Sequence, residues 1–234
     1  MSVMLIFLAG IAAVVIWWMA QQRLTSRPWL EVGHVGHPGG GERSPIPPAQ
    51  IGLYVFLAVV GALFSLFISA YMMRVGTPDW WSTPIPRLLW LNTGALIVSS
   101  GAMQWAKTEA QRGRGDPMRA ALLAALVTAI LFLTGQIFAW RELTQAGYVL
   151  ADNPANSFFY VITGMHGLHI LGGLIALGRT MTRAWNDPVT DRVRLSVGLC
   201  ATYWHFMLIV WLILFALFAG WANDFADLCR QLLT

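Results

Sequence analysis

The sequence predicts an all-α fold, a polytopic membrane helical bundle of six transmembrane helices: a five-helix core preceded by one N-terminal helix, with both termini on the outer side. Three observations predict it. Hydrophobic residues make up 57% of the 234 and charged residues only 11%, with a mean hydropathy of +0.60, which places the chain in the membrane class. Six apolar runs, at 3–19, 51–73, 88–106, 120–140, 158–178 and 195–221, match the ~20 residues that a helix needs to cross a ~30 Å hydrocarbon core. The basic residues between the runs alternate in density. Arg23, Arg27 and Arg43, then Lys107, Arg112, Arg114 and Arg119, then Arg179, Arg183, Arg192 and Arg194 fall on one side, eleven in all, against four, Arg74, Arg87, Arg141 and Arg230, on the other. The richer side is cytoplasmic by the positive-inside rule. The net charge of +4 is therefore a topology signal spread over short loops, not a patch for nucleic acid.

The first run, with its flanks, forms an anchor at 1–22. Met1 and Ser2 carry no positive side chain while Arg23 and Arg27 follow the run, the reverse of a secretory signal, so the anchor stays uncleaved. Residues 23–50 follow as a cytoplasmic linker rich in Gly and Pro, including Gly39, Gly40, Gly41, Pro45, Pro47 and Pro48, and too polar and broken to bury a core. Its His34 and His37 have no further ligand nearby to complete a metal site. The five-helix core occupies 51–234. Its first run holds no side chain that titrates near neutrality, so it cannot carry a proton relay of its own. Trp80 and Trp81, followed by Pro84 and Pro86, fit a loop at headgroup level.

The next run carries Asn92, Thr93, Ser99, Ser100 and Gln104, small and hydroxyl groups suited to close helix packing and interhelical hydrogen bonds. The run at 120–140 includes Thr134 and Gln136 and ends at Arg141 and Glu142, adjacent helical positions that cannot face each other and belong at the outer interface. The run at 158–178 places His166 and His169 on one side, with Gly164, Gly167, Gly172 and Gly173 as small surfaces where another helix can approach. The last run opens Tyr203-Trp204-His205-Phe206. Cys200 and Cys229 would stand roughly 30 Å or more apart on a continuous helix, far beyond disulfide reach.

Imidazoles in hydrocarbon-length helices have two readings. They are structural groups hydrogen-bonded to neighbouring helices, or they serve a site. Three converging histidines could hold copper or zinc, and two could bracket a haem. The runs, however, hold no Asp or Glu to support such ligands, so no metal or cofactor site is assigned to this chain.

Two blocks give the chain a family likeness. Phe158-Phe159-Tyr160 with Thr163-Gly164-Met165-His166-Gly167-Leu168-His169 and Gly172 or Gly173 downstream is one; Tyr203-Trp204-His205-Phe206 with Val210-Trp211 and Leu214-Phe215 is the other. Asn92-Thr93, Ser99-Ser100 and Trp105-Ala106 add a third in the expected order. Over about 51–221 the chain resembles the subunit III family of haem–copper terminal oxidases. The resemblance implies a non-catalytic subunit of a proton-pumping oxygen reductase in the bacterial inner membrane. It would pack on subunit I, alongside subunit II, with haem and copper in those partners. It also implies phospholipid binding and support of proton uptake and of subunit I during turnover. By the same resemblance His169 meets lipid headgroups, while His166, His205, Tyr203 and Trp204 serve a lipid or polar network.

The chain departs from the family pattern in three places. The acidic residue that many relatives carry in the first core helix falls at Val60. Glu142 and Gln145 stand in a different order from the usual Gln and Glu at the tip of the third core helix. One helix precedes the five, where relatives have two or none. A quinol oxidase subunit III or the related accessory protein of nitric oxide reductase shares the motif. A free-standing metal or haem enzyme built on His166, His169 and His205 is the remote alternative.

Overall fold

The computed structural model describes residues 47–220 apart from 76, 82, 83 and 187. The readings of the anchor at 1–22, of His34 and His37, and of Cys229 and Arg230 lie outside the described residues.

Among these residues the chain is all-helical: α1 Pro48–Arg74, α2 Leu88–Gln111, α3 Gly115–Gln145, α4 Pro154–Asn186 and α5 Asp191–Phe218. α1, α3, α4 and α5 are each long and apolar enough to cross a membrane. α2 differs from the other four in its polarity. Its 24 residues span ~36 Å, but Asn92, Thr93, Ser99, Ser100 and Glu109 lower its hydropathy. All five are buried, so their polar groups are turned into the bundle. The helix also runs past the expected end at 106. It thereby takes in Glu109, 4% exposed, which pairs with Arg112 at 2.9 Å and Arg114 at 3.6 Å. Glu109 lies beyond the apolar run at 88–106, at the end of the helix and against two cations.

α2, α3, α4 and α5 close a ring in which each helix packs on the next and α5 returns to α2; α1 lies outside it, against α4 and α5. The closest pairing is α2 with α3. Ala102, Ala106 and Ala110 on α2 and Ala121, Ala125 and Ala129 on α3 are all buried, and small residues let helix backbones approach. Their hairpin turns at Gly113, whose φ of +74° closes α2. The Gly113 N–H reaches the Ala110 carbonyl and the Arg114 N–H reaches that of Glu109, so the last carbonyls of α2 are satisfied. Gly147 (φ +92°) ends α3 in the same way.

The loop from α1 to α2 is fastened by one residue of the α3–α4 loop. Asn153 caps α4 by accepting the Ala155 N–H (3.1 Å), and its amide also donates to the Trp81 carbonyl (2.5 Å). The expected Trp80–Trp81 pair is split: Trp80 meets the Tyr71 ring edge-on at 4.9 Å and lies near Phe158, while Trp81 is 72% exposed. Arg141 and Glu142 are both exposed.

Candidate functional site

Hydrocarbon offers no hydrogen bonds, so polar side chains in a membrane bundle must find one another. Three tryptophans follow one pattern. Trp204 Nε1 donates to Ser99 Oγ (2.8 Å), and Ser99 donates to the Ala125 carbonyl (2.9 Å), joining α5, α2 and α3. Trp211 Nε1 donates to Thr93 Oγ1 (3.0 Å), which donates to the Leu89 carbonyl (2.8 Å). Trp140 Nε1 donates to Thr163 Oγ1 (3.1 Å), which donates to the Phe159 carbonyl (2.6 Å). Each hydroxyl accepts an indole proton and passes its own to a carbonyl. Of these partnerships, sequence reasoning missed the roles of Trp140 and Trp211. The seven-residue spacing of Trp204 and Trp211, set against hydroxyls at 93 and 99 on a helix running the other way, was the available signal.

The three histidines occupy three different settings. His166 is fully buried at 0% exposure, and its Nε2–H donates to the Met207 carbonyl of α5 (3.1 Å). Its ring sits among Trp211, Phe132 and Phe64 at centroid distances of 4.9, 5.6 and 6.2 Å. His169 donates from Nδ1 to the Met165 carbonyl one turn back (2.7 Å) and packs on Phe64 (5.5 Å). His205 bridges two positions of α2: Ser100 Oγ donates to Nδ1 (2.5 Å) and Nε2–H donates to Gln104 Oε1 (3.0 Å). For His166 and His169 the acceptor is a backbone carbonyl, so the proton sits on Nε2 of the first and Nδ1 of the second. Among the described residues no three His, Cys, Asp or Glu side chains gather in a metal-holding group.

His169 lines a groove of about 350 Å³ between α1, α4 and α5, with Leu53 and Phe56, Gly172 and Gly173, and Cys200, Tyr203 and Trp204. Tyr203 closes one wall by donating to the His169 carbonyl (2.6 Å). The four glycines of α4 have separate uses. Gly173 is required by close packing, since a Cβ there would lie 2.6 Å from the Tyr203 ring and 3.0 Å from that of Trp204. Gly164 faces Trp140 and Gly167 faces Leu133 at ordinary contact distances. Gly172, expected as a helix-packing position, opens onto the groove, where a Cβ would meet nothing within 4 Å among the described residues. Val60 is 3% exposed, so α1 turns an apolar side chain inward at that level.

These observations define a membrane-embedded helical bundle whose aromatic and histidine side chains bind its own helices together. The cytochrome c oxidase subunit III family model matches residues 52–223, and the chain belongs to that family. The cytochrome c oxidase subunit 3 of Synechocystis is 30% identical over 199 residues, 82% of this chain and 81% of the relative. The probable cytochrome c oxidase subunit 3 of Mycobacterium tuberculosis is 30% identical over 173 residues, 71% of this chain and 84% of the relative. The wheat protein of that name is 32% identical over 149 residues, 64% of this chain; the match spans about half (53%) of the wheat protein's length.

Proposed function

We propose that the chain is a non-catalytic subunit III of a proton-pumping haem–copper terminal oxidase, embedded in a bacterial inner membrane with six spans and both termini outside. In this reading it packs on the catalytic subunit I beside subunit II, and the haems and copper belong to those partners. The observation that carries the proposal is the use made of the family motif. His166, Trp204, Trp211 and Tyr203 are spent on Met207, Ser99, Thr93 and His169, the neighbouring helices of the same chain. Such an arrangement builds a scaffold. A phospholipid held in the α1–α4–α5 groove fits the same reading: the groove is apolar along its length, with the half-exposed His169 ring as its polar group. Held there, the lipid would stiffen the contact with subunit I and support proton uptake.

The experiment is removal of this chain from the purified complex. The stripped complex is expected to reduce oxygen at the outset and to lose activity progressively over continued turnover. Abolition of the first turnovers would contradict the accessory role.

A further inference from the structure

Three buried polar side chains meet at one depth inside the helix ring. Asn92 on α2 and Gln136 on α3 are each 3% exposed, and His166 on α4 is 0% exposed. Asn92 Nδ2, both Gln136 Oε1 and Nε2, and His166 Nδ1 have no hydrogen-bond partner among the described residues. Packing sets the three level with one another. A Cβ at Gly135, the residue before Gln136, would overlap the Asn92 amide, so Asn92 is pressed against α3 beside Gln136. Trp140 reaches Thr163 on one side and Leu133 faces Gly167 on the other, so Gln136 between them stands opposite the turn of α4 that carries His166. Phe132, one turn from Gln136, meets the rings of His166 (5.6 Å) and Trp211 (4.9 Å), and Trp211 returns to α2 through Thr93, next to Asn92. Asn92 lies five residues inside Arg87 and Gln136 five inside Arg141, ~7.5 Å along each helix from a charged end.

The open atoms are chemically matched. Asn92 Nδ2 and Gln136 Nε2 donate. Gln136 Oε1 accepts, and so does His166 Nδ1, because the imidazole proton is committed on Nε2 to the Met207 carbonyl. A direct chain, from Asn92 Nδ2 to Gln136 Oε1 and from Gln136 Nε2 to His166 Nδ1, would use every one of them, but neither bond is made. Asn92 is held against Gly135, and the His166 ring is held by Met207, Trp211 and Phe132, which keeps both anchors in place. Buried polar groups are nearly always satisfied, so a bridging group has to donate and accept at once. An acyl chain does neither. A cation would face two N–H donors. Water does both, and a buried water typically makes about three hydrogen bonds.

We propose that Asn92, Gln136 and His166 form an internal water site, in which bound water accepts from the two amides and donates to Gln136 Oε1 and His166 Nδ1. The water ties α2, α3 and α4 together at the depth where the Trp211–Thr93 bond ties α5 to α2. The site goes beyond the family reading and does not depend on it.

The test is a map of the full-length chain in its native complex, at a resolution that shows ordered water. The expected result is water density within hydrogen-bond distance of His166 Nδ1 and of at least one of the two amides. Asn92, Gln136 and His166 bonded directly to one another, with no water between them, would overturn the proposal. A second measurement reads the same site through stability. Asn92→Ala and Gln136→Met are each expected to lower the melting temperature of the complex. Together they should lower it by less than the sum of the two, because the first change already releases the water they share. Shifts that simply add would count against the site. Where a variant does not assemble, the map of the native chain decides alone.

Discussion

Trp204 and Ser99 meet at 2.8 Å in the centre of the helix ring, indole N–H to hydroxyl, and the hydroxyl proton continues to the Ala125 carbonyl on a third helix. Both residues are essentially without solvent exposure, at 1% and 0%. One short side chain therefore fixes the relative depth of α2, α3 and α5. Ser99→Ala leaves the indole N–H without its acceptor and should cost ~0.6–2 kcal/mol, the range for interhelical hydrogen bonds in membranes. Equilibrium unfolding in detergent checks this. Trp204→Phe in the Ser99→Ala background should cost less than it does alone, because the bond is already gone.

A second expectation separates neighbouring glycines. Gly173→Ala drives a methyl group to 2.6 Å from the Tyr203 ring, whose hydroxyl is held by the His169 carbonyl. The ring has to move, at a cost of ~1–3 kcal/mol typical of overpacking. Gly172→Ala points into the open groove and should be near neutral. Thermal melting of the two variants side by side gives the comparison.

Asn153 should show two separable contributions. Asn153→Ala removes both the α4 cap and the tie to Trp81, and the cap alone is typically worth ~1 kcal/mol. Asn153→Asp keeps the acceptor for Ala155 but loses the donor to the Trp81 carbonyl. The Asp variant should retain most of the stability yet show faster proteolysis in the loop between α1 and α2.

That loop should also respond to acid. The Thr77 hydroxyl beside it and the Arg74 guanidinium at 2.6 Å hold the Asp79 carboxyl below the usual carboxylate range. A group whose pKa is lowered by folding contributes order that is complete above its unfolded value and is lost as pH falls through the folded one. Proteolysis of the loop should therefore rise only at pH values below the ordinary carboxylate range. Asp79→Asn should remove that pH dependence. As the pair is exposed, raised salt should weaken it as well.

Much of the fold was legible because hydrocarbon imposes a length and a composition on whatever crosses it. The core helices therefore appeared as apolar runs near 51, 88, 120, 158 and 195. α2 was harder to bound, since Glu109 looks like an interface residue until its burial against Arg112 and Arg114 is seen. The site was legible as a set of residues but not as a set of partners. Trp204, His205 and Ser99 stood out, yet spacing along a chain does not say which hydroxyl faces which indole across two helices. Nor does it tell Gly172 from Gly173, whose sequence surroundings are nearly identical and whose neighbours in space are an open groove and a tyrosine ring. The division of Trp80 from Trp81 had the same cause: it depends on Tyr71, nine residues earlier, folding back onto one of them.

The central claim is that the histidines and tryptophans of this subunit organise helices while oxygen chemistry takes place in a neighbouring subunit. Its most direct test is a measurement of haem and metal content, by optical spectrum and elemental analysis, on the native complex and on this chain separated from it. The expected result is haem and copper in the complex and neither in the separated, folded chain. Haem or copper bound in fixed proportion to the separated chain, and lost on replacing His166, His169 and His205 with Ala, would contradict the account.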